Sequence, residues 1–308
     1  MPTLTIKHST TYRYRQPVAF GEHTIMLRPL ESCDQSLIDA KLEITPRPIH
    51  VRRTRDAFGN HLDIARFAGR AKELRFESTV RLRQSYIDVH DIDIEEFARA
   101  CPFIYRTEEM PDLAHFVERQ FVDPDCHVEQ WTRKFLRKKR PTDTRQFLIN
   151  LTNGINRTFQ HVTRHEKGVQ PPLQTLALRS GSCRDLAMLM IEAARSLGLA
   201  ARFVSGYLHI PGDEEPHAGG GNTHAWVQIY LPGPRWVDFD PSNGIVGNRD
   251  LIRVAVVRDP RQAIPLHGTW TGFPSDYLGM KVEVAVKSEA TESEIAIPDL
   301  EPRVKSGW

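Results

Sequence analysis

The stretch RSGSCRDLAMLMIEAARSLGLAARFVSGYL, residues 179–208, decides the fold, because it reads as a capped helix running into a strand. Ser182, Cys183, Arg184 and Asp185 fit the Ser/Thr-x-x-Asp/Glu capping box, with Ser182 as N-cap and Asp185 reaching back to its amide. Behind them Leu186, Leu189, Met190, Ala193, Ala194 and Leu197 recur at helical spacing and give the helix one apolar face. Gly198 stops it. Cys183 therefore sits at the first helical position, where unpaired amides and the positive end of the dipole favour an anion. A thiol so placed ionises below its free value of roughly 8.5 and becomes a nucleophile. Gly181 is read as keeping the approach to the sulfur open. The plainer reading is a capped helix with a small buried cysteine. A nucleophile also needs a base and a group to orient that base.

Both are offered downstream by NTHAWVQIYLPGPRWVDFDPSNG, residues 222–244, which reads as two strands joined by a Pro-Gly-Pro turn. With the turn centred near Pro232, Gln228 faces Trp236, Trp226 faces Asp238 and His224 faces Asp240. These residues share one sheet face, and Ala225, Val227, Ile229, Leu231, Val237 and Phe239 form an apolar second face. His224 and Asp240 then lie within hydrogen-bond reach, as a Cys-His-Asp triad requires. A shift of the pairing by one or two would make Asp238 the candidate instead. Trp226, on the same face as His224, would wall a substrate groove or cover the hairpin. His161, His165, His209 and His217 have no such partner by sequence logic. A metal site from His217, His224 and a carboxylate lacks the spacing of zinc sites, so no metal is expected.

The rest of the chain sets bounds. Its 308 residues carry a formal charge of +2, which makes no general case for nucleic acid. The basic run RKFLRKKR, residues 133–140, reads as the solvated end of a helix. The N-terminus has no apolar core of a secretory signal, and no stretch approaches the ~18 apolar residues of a membrane span. The four cysteines, Cys33, Cys101, Cys126 and Cys183, form no CxxC pair, which favours a reducing cytoplasm over a zinc ribbon or a disulfide scaffold.

An α+β chain is expected. Residues 1–85 read as short strands with turns such as DAFGN, a β-sandwich domain. Residues 86–143 connect, with an acidic run and then helices over LAHFVERQFV and VEQWTRKFLRKK. Residues 144–287 hold a helix over TRQFLINLTNGINRTF, a Pro-rich loop GVQPPLQTL, the cysteine helix and the later strands, ending with KVEVAVK. Residues 288–308 read as a mobile polar tail.

The cysteine helix, the THAWVQIYLPGPRWVDFDPSNG segment and their order resemble the bacterial transglutaminase-like superfamily. TTYRYRQPV, HTIMLRP and DAFGN look like the N-terminal β-domain that accompanies its core. The resemblance implies a papain-like catalytic core with Cys183 as nucleophile, His224 as base and Asp240 as orienting carboxylate. It implies acyl transfer on a peptide or protein substrate through a thioester, as a cysteine peptidase or amidase or as a transglutaminase, with hydrolysis favoured. The resemblance leaves the oxyanion hole open: the Cys183 amide reads as one donor, and Gln170 or Gln174 reads as a side-chain donor or, more simply, as a surface residue. No cofactor is implied, and no calcium-loop pattern is present. The rival class is a non-catalytic binding module on the same fold. The glycine run HAGGGNTH is read as a gating loop or a plain surface loop.

Overall fold

The computed structural model describes residues 2–86, 93–164, 166–209 and 223–289. Alternating short runs at the N-terminus become β1 (Thr3–Ile25), β2 (Gln35–Thr45), β3 (His50–Arg55), β4 (His61–Arg66) and β5 (Arg70–Gln84). They pair antiparallel in the order β2-β5-β1-β4-β3. The register of β1 on β5 breaks between Arg13 and Val18, across Pro17, which has no amide to donate. One long strand thereby serves two halves of a bent sheet. The expected sandwich is realised as a single sheet folded over a cluster of Tyr14, Val18, Phe20, Ile25, Leu27, Leu74 and Phe76.

The connecting region pairs β6 (Ala100–Cys101) with β7 (Thr142–Asp143) and carries α1 (Met110–Val117) and α2 (His127–Thr132), both shorter than the sequence suggests. At α1 the chain turns extended at Glu118. The acidic run of this region falls partly outside the described residues. Next come α3 (Thr144–Thr158), β8 (Gln160–His161), α4 (Pro172–Leu178), β9 (Ser180–Gly181) and α5 (Cys183–Ser196). Helix α4 lies in the stretch read as a loop. Pro172 occupies its first turn, where a proline costs no hydrogen bond and presets the helical φ.

The core sheet runs β13-β12-β11-β10-β14, from β10 (Ala201–Leu208), β11 (His224–Leu231), β12 (Arg235–Asp240), β13 (Ile245–Val246) and β14 (Leu251–Val257). Helix α5 is buried at every position from Asp185 to Arg195, so it is a central helix and not one with a single apolar stripe. Its charges are paired: Glu192 accepts from the Gln120 amide at 3.0 Å and from Arg195 at 3.3 Å. All eight positions of β11 are buried. Ala225, Val227 and Ile229 share the apolar cluster of α5. Trp226 packs on the other face with Val204, Leu208, Leu251 and Val256, against Leu30 and Phe58 of the N-terminal region.

The assignment of residues 144–287 to the catalytic core needs correction at its end. β15 (Leu266–Thr271) and β16 (Tyr277–Glu289) leave the core and pair with β1, from Thr3 opposite Glu289 to Tyr12 opposite Met280. Period-two alternation marks KVEVAVK as a strand but does not say which sheet edge it joins. The open edge of β1 supplies the partner. Among the described residues no helix is long and apolar enough to cross a membrane.

Candidate active site

The capping box at the start of α5 forms as read, and Asp185 does more than cap. It accepts from the Ser182 amide and hydroxyl at 2.8 Å each. It also takes the Arg164 guanidinium at 2.8 Å and 2.9 Å and the Gln170 amide at 2.6 Å. Gly181 serves this carboxylate and not the sulfur: a Cβ there would stand 2.8 Å from Asp185 Cβ. Cys183 is left at the first helical position, half-buried.

The hairpin register differs from the expectation by two. Gln228 faces Asp238 and Tyr230 faces Trp236, so Trp226, not His224, is the position opposite Asp240. A shift of two leaves every side chain on its face, and the imidazole reaches its carboxylate diagonally. His224 Nε2 donates to Asp240 Oδ2 at 2.8 Å, and both side chains are buried. Asp240 also accepts from the Ser242 amide and the Asn243 side chain, each at 2.8 Å. The alternative, Asp238, is occupied elsewhere, by Trp226 Nε1 at 2.7 Å and Arg253 at 2.8 Å. Trp226 stacks on His224 with centroids 5.9 Å apart and planes 24° apart.

The electrostatics follow from this packing. Burial alone would raise the Cys183 thiol and lower the imidazole. The His161 and His224 imidazoles, with the His224 charge, outweigh burial at the sulfur and bring it down to about 6. The Asp240 charge and hydrogen bond, with the Cys183 contact, outweigh it at His224 and raise that group. With Nε2 committed to Asp240, Nδ1 is the nitrogen left for the thiol, and it is buried without a hydrogen-bond partner of its own. The arrangement can hold a thiolate beside an imidazolium.

Residues 4–83 match the bacterial transglutaminase-like N-terminal region and residues 129–241 match the transglutaminase-like superfamily. An uncharacterised protein of Mycobacterium leprae is 36% identical over 285 residues, covering 91% of this chain and 98% of the relative. The chain belongs to the transglutaminase-like superfamily. A Mycobacterium tuberculosis relative, also uncharacterised, is 27% identical over 297 residues and covers 91% of each chain. The crystal structure of a candidate cysteine protease from Cytophaga hutchinsonii shares the fold, with a TM-score of 0.71, 19% identity and coverage of 94% of this chain and 92% of the other. The transglutaminase-like match spans Cys183, His224 and Asp240.

Two site residues of this transglutaminase-like chain escape sequence reasoning. His161 lies opposite Gly181 in the parallel β8–β9 pair, and its imidazole is one of the groups that lower the Cys183 thiol. Two-residue parallel pairs leave no periodic signal. Asn243 holds Asp240 from the turn after β12, and only the Pro-Ser-Asn-Gly turn chemistry marks its position. Gln170 is a brace and not an oxyanion donor, since its amide is spent on Thr175 at 3.0 Å and the Ser180 carbonyl at 2.9 Å. Gln174 is exposed on α4. Cys101 is buried, while Cys33 and Cys126 are exposed. Among the described residues no group of three His, Cys, Asp or Glu side chains could hold a metal. His217, His165 and the glycine run before His224 lie outside the described residues.

Proposed function

We propose that this transglutaminase-like protein is a thiol acyl-transfer enzyme acting on peptide or glutamine amides, with hydrolysis as its main outcome. The observation that carries the reading is the buried His224–Asp240 pair coupled electrostatically to a cysteine at a helix N-terminus. The Cys183 thiolate attacks the amide carbonyl carbon, and the carbonyl electron pair moves to oxygen. The Cys183 amide, which has no acceptor within its own helix, donates to that oxyanion. As the tetrahedral intermediate collapses, the C–N bond breaks and the His224 imidazolium gives its proton to the departing amine. Asp240 holds the ring and stabilises its cation. Water, deprotonated by His224, then attacks the thioester, and Cys183 leaves as thiolate. An amine in place of water gives transamidation by the same steps.

The likeness to a candidate cysteine protease supports the hydrolytic lean. The four free cysteines support a reducing, cytoplasmic setting. The test is mass spectrometry of products from a glutamine-containing peptide, with and without a primary amine, on the wild type and Cys183→Ser. Cleaved or deamidated peptide that disappears with the serine variant is the expected result. Amine incorporation would make the protein a transglutaminase. Peptide binding without turnover would make it a binding module.

A further inference from the structure

We propose that the N-terminal domain positions the His224 ring through a buried polar chain of Asp34, Arg253, Asp238 and Trp226. The inference rests on the reading of His224 as the base. Asp34 lies between β1 and β2 of the N-terminal sheet, while Arg253 is on β14 of the core. Arg253 donates to Asp34, to Ser32 Oγ at 2.9 Å and to Asp238 Oδ2 at 2.8 Å. The other oxygen of Asp238 accepts Trp226 Nε1 at 2.7 Å, and the indole stacks on His224. All five side chains are buried. Gln35 clamps the Arg253 backbone from both sides, at 2.8 Å and 3.0 Å, so the N-terminal domain holds the main chain of Arg253 as well as its side chain.

Two further observations separate positioning from mere packing. A guanidinium buried between two carboxylates is no better for stability than apolar residues of the same volume, but it is directional. Gly206 on β10 is fitted to the indole: a Cβ there would stand 2.6 Å from Trp226 Cη2 and 2.0 Å from the Ile252 carbonyl. The indole is thus pinned on its ring edge by the glycine and at its nitrogen by Asp238. Its plane, and with it the ring it stacks on, follows the chain back to Asp34. The other charged groups nearby are Arg202 beside Asp238 and Arg253, and Asp240 and Cys183 on His224 itself, with His161 on the sulfur.

The test reads the Cys183–His224 pair directly, by iodoacetamide alkylation of Cys183 against pH in the full chain, without a substrate. Asp34→Asn and Trp226→Phe are each expected to move the acid limb upward by about one pH unit, which is about tenfold in rate below the midpoint. The double variant is expected to be no worse than Trp226→Phe alone, because both act on one chain. Glu289→Gln, which breaks an exposed pair with Arg81 in the same sheet, leaves the profile unchanged. A folded Asp34→Asn protein with the wild-type profile overturns the inference. So does additivity of the two variants. If Asp34→Asn fails to fold, a wild-type profile in Trp226→Phe decides the same question. A wild-type Cys183 that reacts only as an ordinary thiol overturns the proposed function instead.

Discussion

Burial usually makes a thiol harder to ionise, and Cys101 obeys: it is pushed up to about 12. Cys183 goes the other way because the His161 and His224 imidazoles favour its charged form. The expected result is that alkylation at pH 7 labels Cys183 quickly and leaves Cys101 untouched. The Cys183 rate should fall only as the pH drops through about 6. His224→Gln should return the acid limb toward the free-thiol value of roughly 8.5, and His161→Asn should move it part of the way. A Cys183 limb unmoved by His224→Gln would sink the account. Cysteine, histidine and aspartate were legible in the sequence because each sits in a patterned element. His161 was not, because a two-residue parallel pair brings it to the sulfur without a pattern.

At the scale of elements, the start of α5 depends on Asp185. The capping box was legible from four consecutive residues, but the Arg164 and Gln170 contacts come from an irregular segment that no period describes. Removing this carboxylate takes the nearer partner from the half-buried Arg164 guanidinium, which keeps only Glu166 at 3.5 Å, and leaves three donors without this acceptor. Asp185→Ala is therefore expected to cost about 3–5 kcal/mol, the range for breaking a buried pair, measured by urea unfolding. A loss below ~1 kcal/mol, typical of surface pairs, would show that the hub is dispensable. The hairpin teaches a different lesson. Its turn was misplaced, yet the error was two residues, and an even error preserves faces. His224 and Asp240 were therefore readable as neighbours from alternation alone, although the register was not. An odd error would have sent one of them to the apolar side.

At the scale of the molecule, the chain closes on itself. β15 and β16 return to β1, and Val284 and Val286 pack against the shared core cluster. This was illegible in the sequence, since alternation identifies a strand without naming its neighbour. A chain ending at Ala263 should expose the long edge of β1 and aggregate, as seen by light scattering; retention of the full-length melting temperature and hydrodynamic radius would refute that. The contact between N-terminal sheet and core should also be sensitive to acid, in two steps. His8 of β1 bonds Tyr207 of β10 at 2.9 Å, and burial lowers its imidazole to about 4. The unfolded chain takes up this proton first, near 6.5, so stability declines as the pH falls from there and levels off below about 4. The span corresponds to about 3 kcal/mol. Asp34 works in the second step. Burial would raise its carboxyl, but Arg253, Ser32 and Asn248 hold it below the ordinary aspartate value, so its contribution is intact above roughly pH 4 and lost beneath it. Melting temperature against pH should therefore show two acid limbs. His8→Gln should flatten the one between about 6.5 and 4, and Asp34→Asn the lower one. If His8→Gln left the upper limb in place, the protonation that loosens the two domains would lie elsewhere than at this pair.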